Sequence, residues 1–379
     1  MNVLLASSVY LPYTMSWIYR QVAGYDKGKI LVICQKRQNE DLFPHSEVIL
    51  FSRDSFFFRF YRSILEHIFK NKLVRFSAAK QAHIKHVVQK NDIRLIHVHF
   101  GTHAIFYYRV AELLRIPLIV TFHGHDISSS FGRWPAYKKE FPKLLSLIKY
   151  AIVISEEMKE RLVALGCPEE KVLVSYLGVP VDQFPFFDRS SRNSIVKYVH
   201  AGRLTAKKGV VDLVKAFQIA FPNPGKAELL IAGDGEERDN VKEIIHSLGL
   251  ETHVRMLGKL SNEELVNLRN EADVFVLNCR TDSAGTKEGL PIATLEAAST
   301  GLPVISTYHA GIPESINHGE TGLLVNEYDN HSLAQAMLSL YDKDFRLGMG
   351  LKARKFMEDK FDLSKCNQFL YDIYQKSVI

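Results

Sequence analysis

What most constrains this chain is a rhythm. A short run of β-branched and aliphatic residues is followed by a helical pattern, and the pair repeats until residue 177, breaks once, and resumes. In the first half the apolar runs fall at 2–8, 29–35, 46–52, 95–100, 117–123, 150–155 and 171–177, with helical patterns such as 102–115 and 156–166 between them. Continuous apolar runs mean strands buried on both faces, which calls for a parallel sheet covered by helices. Residues 178–195, with Pro, Asp and a Ser/Arg cluster, interrupt the rhythm and read as the connection between two domains. The alternation restarts with KYVHAGR, helix 209–220, AELLIAGDG, helix 236–248, HVRMLG, helix 261–271, DVFVLN, helix 291–300, PVIST and TGLLV; the last 35 residues read as helices. A chain of 379 residues exceeds one ordinary core. Two doubly wound α/β domains are therefore expected, with ligands at the carboxyl ends of the strands and in a cleft between the halves.

Charge adds a second constraint. The net charge is +6, but residues 1–180 carry +10 and residues 181–379 carry −4. Much of the excess lies in 53–94, which contains SFFFRFYRSILEHIFKNKLVRFSAAK. Arg59, Arg62, Glu66, Lys70, Lys72 and Arg75 interrupt its apolar run, so it is not a membrane span. Two readings stand. Arg59, Arg62, Lys70 and Lys72, interleaved with aromatics, suit a surface resting on an anionic leaflet; alternatively the aromatics fill the core and the charges face water. No recognised nucleic-acid motif accompanies the charge. Cys34, Cys167, Cys279 and Cys366 are scattered without paired spacing, which favours a reducing compartment. The first strand begins almost at Met1 without an export signal, so a cytoplasmic location is expected, peripheral on the inner face of the plasma membrane.

The segment EGLPIATLE, residues 288–296, places two glutamates eight positions apart. Paired carboxylates can cleave a glycosidic bond, but Gly289 and Pro291 make one continuous helix through Glu288 improbable. Proline suits a first helical turn and Gly301 suits the residue just past the end. Glu288 then sits in the loop at the amino end of helix 291–300, and Glu296 lies one to two turns in. There the Gly289 and Leu290 amides and the helix dipole favour an anion. Glu296 can accept from a diol such as ribose, and Glu288 from sugar hydroxyls. The frame suits a bound sugar nucleotide better than an acid facing a base.

Longer stretches carry a family resemblance. EGLPIATLEAASTGLPVIST with AGIPESINHGETGLLV, HAGRLTAKKG, LLIAGDGEERDNVKEIIHSLGL and VRMLGKLSNEELVNLRNEADVFVL together resemble the donor-binding half of the family 4 retaining glycosyltransferases, from about 199 to 327. Looser similarity, including HVHFG at 97–101, covers the first half and resembles enzymes that build bacterial surface polysaccharides. The resemblance implies a GT-B fold: an acceptor-side Rossmann-like domain over 1–178, a donor-binding domain over 179–362, and a final helix, 363–379, that packs back on the first. It also implies transfer of a hexose-type sugar from a UDP- or GDP-sugar to a saccharide acceptor, plausibly lipid-linked, with retention of anomeric configuration and neither metal nor other cofactor.

By the same resemblance, Arg203 and Lys208 hold the donor diphosphate, whose growing negative charge two cations would neutralise, and Lys207 is a bystander. Glu296 binds ribose, and Glu288 with the Gly289 and Leu290 amides meets donor sugar and phosphate. His123 lies near the transferred sugar, with Gly124 and Asp126 on the acceptor side. His97 and His99 share one strand face because the period is two, and also suit packing beneath the cleft. The chain departs from the family in the first loop, SSVYLPYTMSWIY, which lacks the usual glycine pair. It departs again at Asn278 and Cys279, where proline and serine are usual, and Arg280 or Lys287 is a candidate for sugar choice.

Other readings remain. HVH and HGHD supply His97, His99, His123 and His125 at a spacing that could hold zinc in a metal-dependent hydrolase, though that leaves 199–327 unexplained. A GT-B nucleotide-sugar epimerase or a catalytically silent binder would share the donor motifs. Asp342 and Asp344 of DKD read as a solvated face, and GDGEER lacks the third glycine of a dinucleotide fingerprint.

Overall fold

Strands such as ILVIC (Ile30–Cys34), VFVL (Val274–Leu277) and VIST (Val304–Thr307) are buried at every position, as a sheet covered on both faces requires. The protein, here as a computed structural model, is described over residues 1–11, 15–51, 76–128, 131, 134–191, 195–283 and 285–378. The chain divides into two units, Met1–Tyr176 with Ser364–Ile379, and Leu177–Leu363.

The first unit holds β1 (Asn2–Ala6), β2 (Val9–Tyr10), β3 (Ile30–Cys34), β4 (Lys36–Arg37), β5 (Val48–Leu50), β6 (Ile93–His99), β7 (Leu118–Thr121), β8 (Tyr150–Val153) and β9 (Val172–Val174). Seven of these form a parallel sheet in the order β5-β3-β1-β6-β7-β8-β9, while β2 pairs with β4. The order reverses between β1 and β6, where Leu5 lies beside His97. The last helix, Leu363–Ser377, buries Leu370, Tyr371, Ile373 and Tyr374 in the core formed by Val3, Leu5 and Ile18. Tyr371 donates its hydroxyl to the Gln21 carbonyl at 2.7 Å, and Asn367 donates to that of Arg20 at 3.1 Å.

The second unit holds β10 (Val196–Ala201), β11 (Ala227–Ala232), β12 (Val254–Gly258), β13 (Val274–Leu277), β14 (Val304–Thr307) and β15 (Gly322–Val325). They form a parallel sheet in the order β12-β11-β10-β13-β14-β15. This is the doubly wound order, and the strands reverse between β10 and β13. Local sequence sets the helix ends. Ser261 and Glu264 form a reciprocal capping box on helix Asn262–Glu271. Asp342 of the DKD segment caps helix Lys343–Lys360 by accepting from the Phe345 N–H at 2.8 Å.

Residues 178–191 are not a slack tether. Arg189 is buried, and its guanidinium donates to the carbonyls of Ala272, Phe187, Thr300 and Arg269 at 2.8–2.9 Å. Phe186 lies where a side chain on Gly301 would have to go, and Gly301 has φ +80°. The connection is bolted to the second unit because one buried arginine satisfies several carbonyls left by its loops and helix ends.

Candidate donor and acceptor sites

The second unit converges on the reversal between β10 and β13. After β10 the chain passes Gly202 and Arg203, and the Leu204 N–H donates to the Asp234 carbonyl at 3.0 Å. The loop after β11 comes so close that a side chain on Gly233 would meet the Gly202 carbonyl at 1.8 Å. A single 3-10 turn, Ala206–Lys208, leads to Gly209, which has φ +59° and lies against the Asn278 carbonyl. No residue with a side chain fits that close approach. Asn278, one of the departures from the family pattern, returns a bond from its amide to the Gly209 carbonyl at 3.2 Å.

This turn delivers both lysines to Glu288. Lys207 Nζ lies 2.8 Å and Lys208 Nζ 3.3 Å from the same oxygen, Oε1. Lys207, expected to be a bystander, thus makes the shorter contact. The sequence missed it because adjacent lysines differ only in the local turn. Burial pushes the Glu288 carboxyl up, but the ammonium groups of Lys208 and Lys207 outweigh it and hold the carboxyl at about 2. Burial alone would lower the Lys208 pKa; the nearby Cys279 sulfur and the Glu288 carboxylate raise it instead. Burial pushes the Cys279 thiol to about 11, so at neutral pH Glu288 is the anion that Lys208 faces. Arg203 is exposed in the loop just before this turn.

Glu288 lies in the loop before helix Ile292–Ser299, with Pro291 at its N-cap. Its own N–H donates to His309 Nε2 at 3.0 Å, and the Gly311 N–H donates to the Gly289 carbonyl at 3.2 Å. No described residue accepts from the N–H groups of Gly289 or Leu290. His309 Nδ1 meets Glu327 Oε1 at 2.6 Å, and Glu327 also accepts from the Thr281 N–H at 2.8 Å. The sequence motifs assign no role to His309 or Glu327.

Glu296, in the second turn of the helix, accepts from Arg269. Arg280, a candidate for sugar choice, is tied to the lysine turn. It donates to the Ala206 carbonyl at 2.8 Å, pairs with Asp212 and lies 5.0 Å from the Tyr328 ring centre. Its guanidinium braces the lysine turn and is thereby occupied.

In the first unit, His123 is half-buried, 4.3 Å from the Trp17 ring and 4.6 Å from that of Phe100. Burial lowers its pKa to about 3, so the imidazole is neutral. His99 Nδ1 lies 3.1 Å from His123 Nε2. His97 is fully buried, with the Tyr374 hydroxyl on Nδ1 and the Thr121 hydroxyl on Nε2, each at 2.7 Å. These histidines bond to each other and to hydroxyls rather than converge as ligands, and His125 is exposed. Among the described residues, none of the His, Cys, Asp and Glu side chains form a group of three that could hold a metal.

Asp126, expected on the acceptor side, is held by the backbone around it. It is fully buried, and its carboxylate accepts from the backbone N–H groups of Gly101 at 2.8 Å and His123 at 3.0 Å. Burial raises its pKa to about 6 despite those bonds. It therefore braces the loop that presents His123. Gly124, at φ +96°, forms the turn between them. Arg59, Arg62, Lys70 and Lys72 lie outside the described residues. Among the described residues no helix is long and apolar enough to cross a membrane.

Comparison with known proteins agrees across both units. Residues 187–356 match the family described as Glycosyl transferases group 1, and residues 29–183 match Glycosyltransferase Family 4. The chain is 32% identical to the amylovoran biosynthesis glycosyltransferase AmsK of Erwinia amylovora, over 75% of this chain and 70% of that protein. It is also 32% identical to the putative colanic acid biosynthesis glycosyltransferase WcaL of Escherichia coli, over 73% and 69% of the two chains. The fold is that of Anabaena HepE crystallised with UDP (TM-score 0.80, 18% identity, 99% of this chain and 100% of that one). A Rickettsia africae glycosyltransferase shares it too (TM-score 0.79, 19% identity, 100% and 98%).

Proposed function

The chain belongs to the family 4 glycosyltransferases, and on that premise we propose that it moves a hexose from a nucleoside diphosphate sugar to a saccharide acceptor in surface-polysaccharide assembly. The observation that carries this reading is the pair of lysines closed on one oxygen of Glu288 at the head of helix Ile292–Ser299. Two buried or half-buried cations and two backbone N–H groups without an acceptor among the described residues make a site for a doubly anionic leaving group. The names of AmsK and WcaL, which refer to amylovoran and colanic acid biosynthesis, support a polysaccharide product. The UDP in HepE supports a nucleotide donor.

In this mechanism Lys208, Lys207 and Arg203 neutralise the diphosphate as the bond from the anomeric carbon to its oxygen breaks. Glu296 accepts from the ribose hydroxyls, and Glu288 holds the sugar while its negative charge favours the cationic transition state. The acceptor hydroxyl adds to the same face and passes its proton to the departing phosphate oxygen, so configuration is retained without a metal. The family resemblance assigns His123, neutral at physiological pH, to the transferred sugar, and we retain that assignment. The acceptor is a lipid-linked saccharide, and the protein works in the cytoplasm against an anionic membrane.

The test is a screen of UDP- and GDP-sugars with membrane lipid extract, read by labelled product and its anomeric configuration, with and without chelator. Transfer with retention, unchanged by chelator, is expected. Release of an epimerised sugar nucleotide, loss of activity with chelator, or no turnover would each overturn the reading.

A further inference from the structure

We infer that His309 and Glu327 are the positioning pair of the donor site: through a single imidazole tautomer they fix the direction of the Glu288–Leu290 backbone. This role rests on the donor reading above and names residues that neither the family motifs nor the comparisons single out.

His309 follows β14 and its side chain is fully buried. The Glu288 N–H donates to Nε2 at 3.0 Å, so that nitrogen carries no proton. The proton belongs on Nδ1, where Glu327 Oε1 accepts it at 2.6 Å. Glu327 follows β15, and its carboxylate is oriented by the Thr281 N–H at 2.8 Å and the Thr281 hydroxyl at 3.4 Å. The relay therefore runs from the β13 loop, through Glu327 and His309, to the peptide of Glu288. A second tie, from the Gly311 N–H to the Gly289 carbonyl at 3.2 Å, fixes the next peptide.

The consequence is selective. Of three consecutive N–H groups, the first is drawn to His309, while those of Gly289 and Leu290 have no described protein acceptor. The same constraint holds the Glu288 side chain against Lys207 and Lys208. A misplacement of about 1 Å in such a frame can cost on the order of 100-fold in rate. Protonation would reverse the relay, because an Nε2–H would face the Glu288 N–H. The groups around the ring are Glu327 and Glu288, which favour the cation, and Lys287, which with burial opposes it; burial dominates and the imidazole stays neutral.

The experiment compares wild type, His309→Ala and His309→Gln in kcat and KM for transfer, in UDP and GDP affinity by calorimetry, and in thermal unfolding. Nitrogen-15 NMR of the wild-type histidines adds a readout independent of activity. The expected result is a folded His309→Ala enzyme with kcat reduced about 10- to 100-fold. His309→Gln, whose amide oxygen can accept from Glu288, should recover most of that loss, and NMR should place the His309 proton on Nδ1. Wild-type kcat and KM in His309→Ala, no rescue by His309→Gln, or a proton on Nε2 would overturn the role. Should His309→Ala fail to fold, His309→Gln and the tautomer decide it. A wild type that binds neither nucleotide would overturn the donor reading, and this role with it, whatever tautomer NMR finds.

Discussion

Arg269 donates through Nη2 to Glu296, and with a side chain only 6% exposed it has little access to water. Glu296 is thus both the expected ribose contact and the counter-ion of a buried arginine. Removing one partner of such a pair leaves an uncompensated charge, which costs more than the pair contributes.

Glu296→Ala should therefore lose stability, by about 3 kcal/mol, as well as turnover. Glu296→Gln keeps an acceptor for Arg269 and should retain more of the stability while still weakening donor binding. Urea unfolding beside donor affinity separates the two effects. Wild-type stability in Glu296→Ala would show that the ion pair contributes nothing measurable.

Lys207 and Lys208 share one carboxylate oxygen, so their effects should not add. Lys208→Ala is expected to reduce kcat/KM about 100- to 1,000-fold. Lys207→Ala should show a clear loss of its own rather than the neutrality of a surface residue. The double variant should lose less than the two single losses combined. Transfer kinetics on the three proteins provide the check.

Arg280 braces the lysine turn through the Ala206 carbonyl and Asp212. Arg280→Ala should destabilise the second unit by about 2 kcal/mol and reduce turnover for every donor sugar alike. A changed ranking among donor sugars would instead assign Arg280 to sugar choice.

Buried neutral histidines make the fold sensitive to acid. Burial lowers His97 to about 3 and His200 to about 4, from 6.5 in the unfolded chain. Below about pH 6.5 the unfolded state binds protons that the folded state refuses, so stability falls as pH falls. Each histidine adds about 1.4 kcal/mol per pH unit to that slope. Asp126, raised to about 6, works in the opposite sense between about pH 6 and 4, because there the folded state binds the extra proton. Two histidines outweigh one aspartate, so urea midpoints should decline from about pH 6.5 to 4, and His97→Gln should flatten the decline.

The sequence by itself determined the two sheets and the family. Apolar runs such as ILVIC and VFVL, short and rich in β-branched residues, read as strands covered on both faces, and Pro291 and Gly301 mark the ends of one helix through local backbone preference. It also singled out Lys208 in HAGRLTAKKG and Glu288 and Glu296 in EGLPIATLE, two separate motifs that are each contiguous. Tertiary structure decided what each of these side chains touches. Lys207 and Lys208 differ by one position in a 3-10 turn, and only the packing of Gly209 on Asn278 aims both at Glu288. Asp126 reads as an acid beside a histidine, and only the position of the Gly101 helix makes it a buried brace. His309, Glu327 and Thr281 come from three loops and meet because β13, β14 and β15 are neighbours in the sheet. Local preference acts over a few residues, whereas a hydrogen bond between loops depends on strand order and register, which no short stretch of sequence encodes.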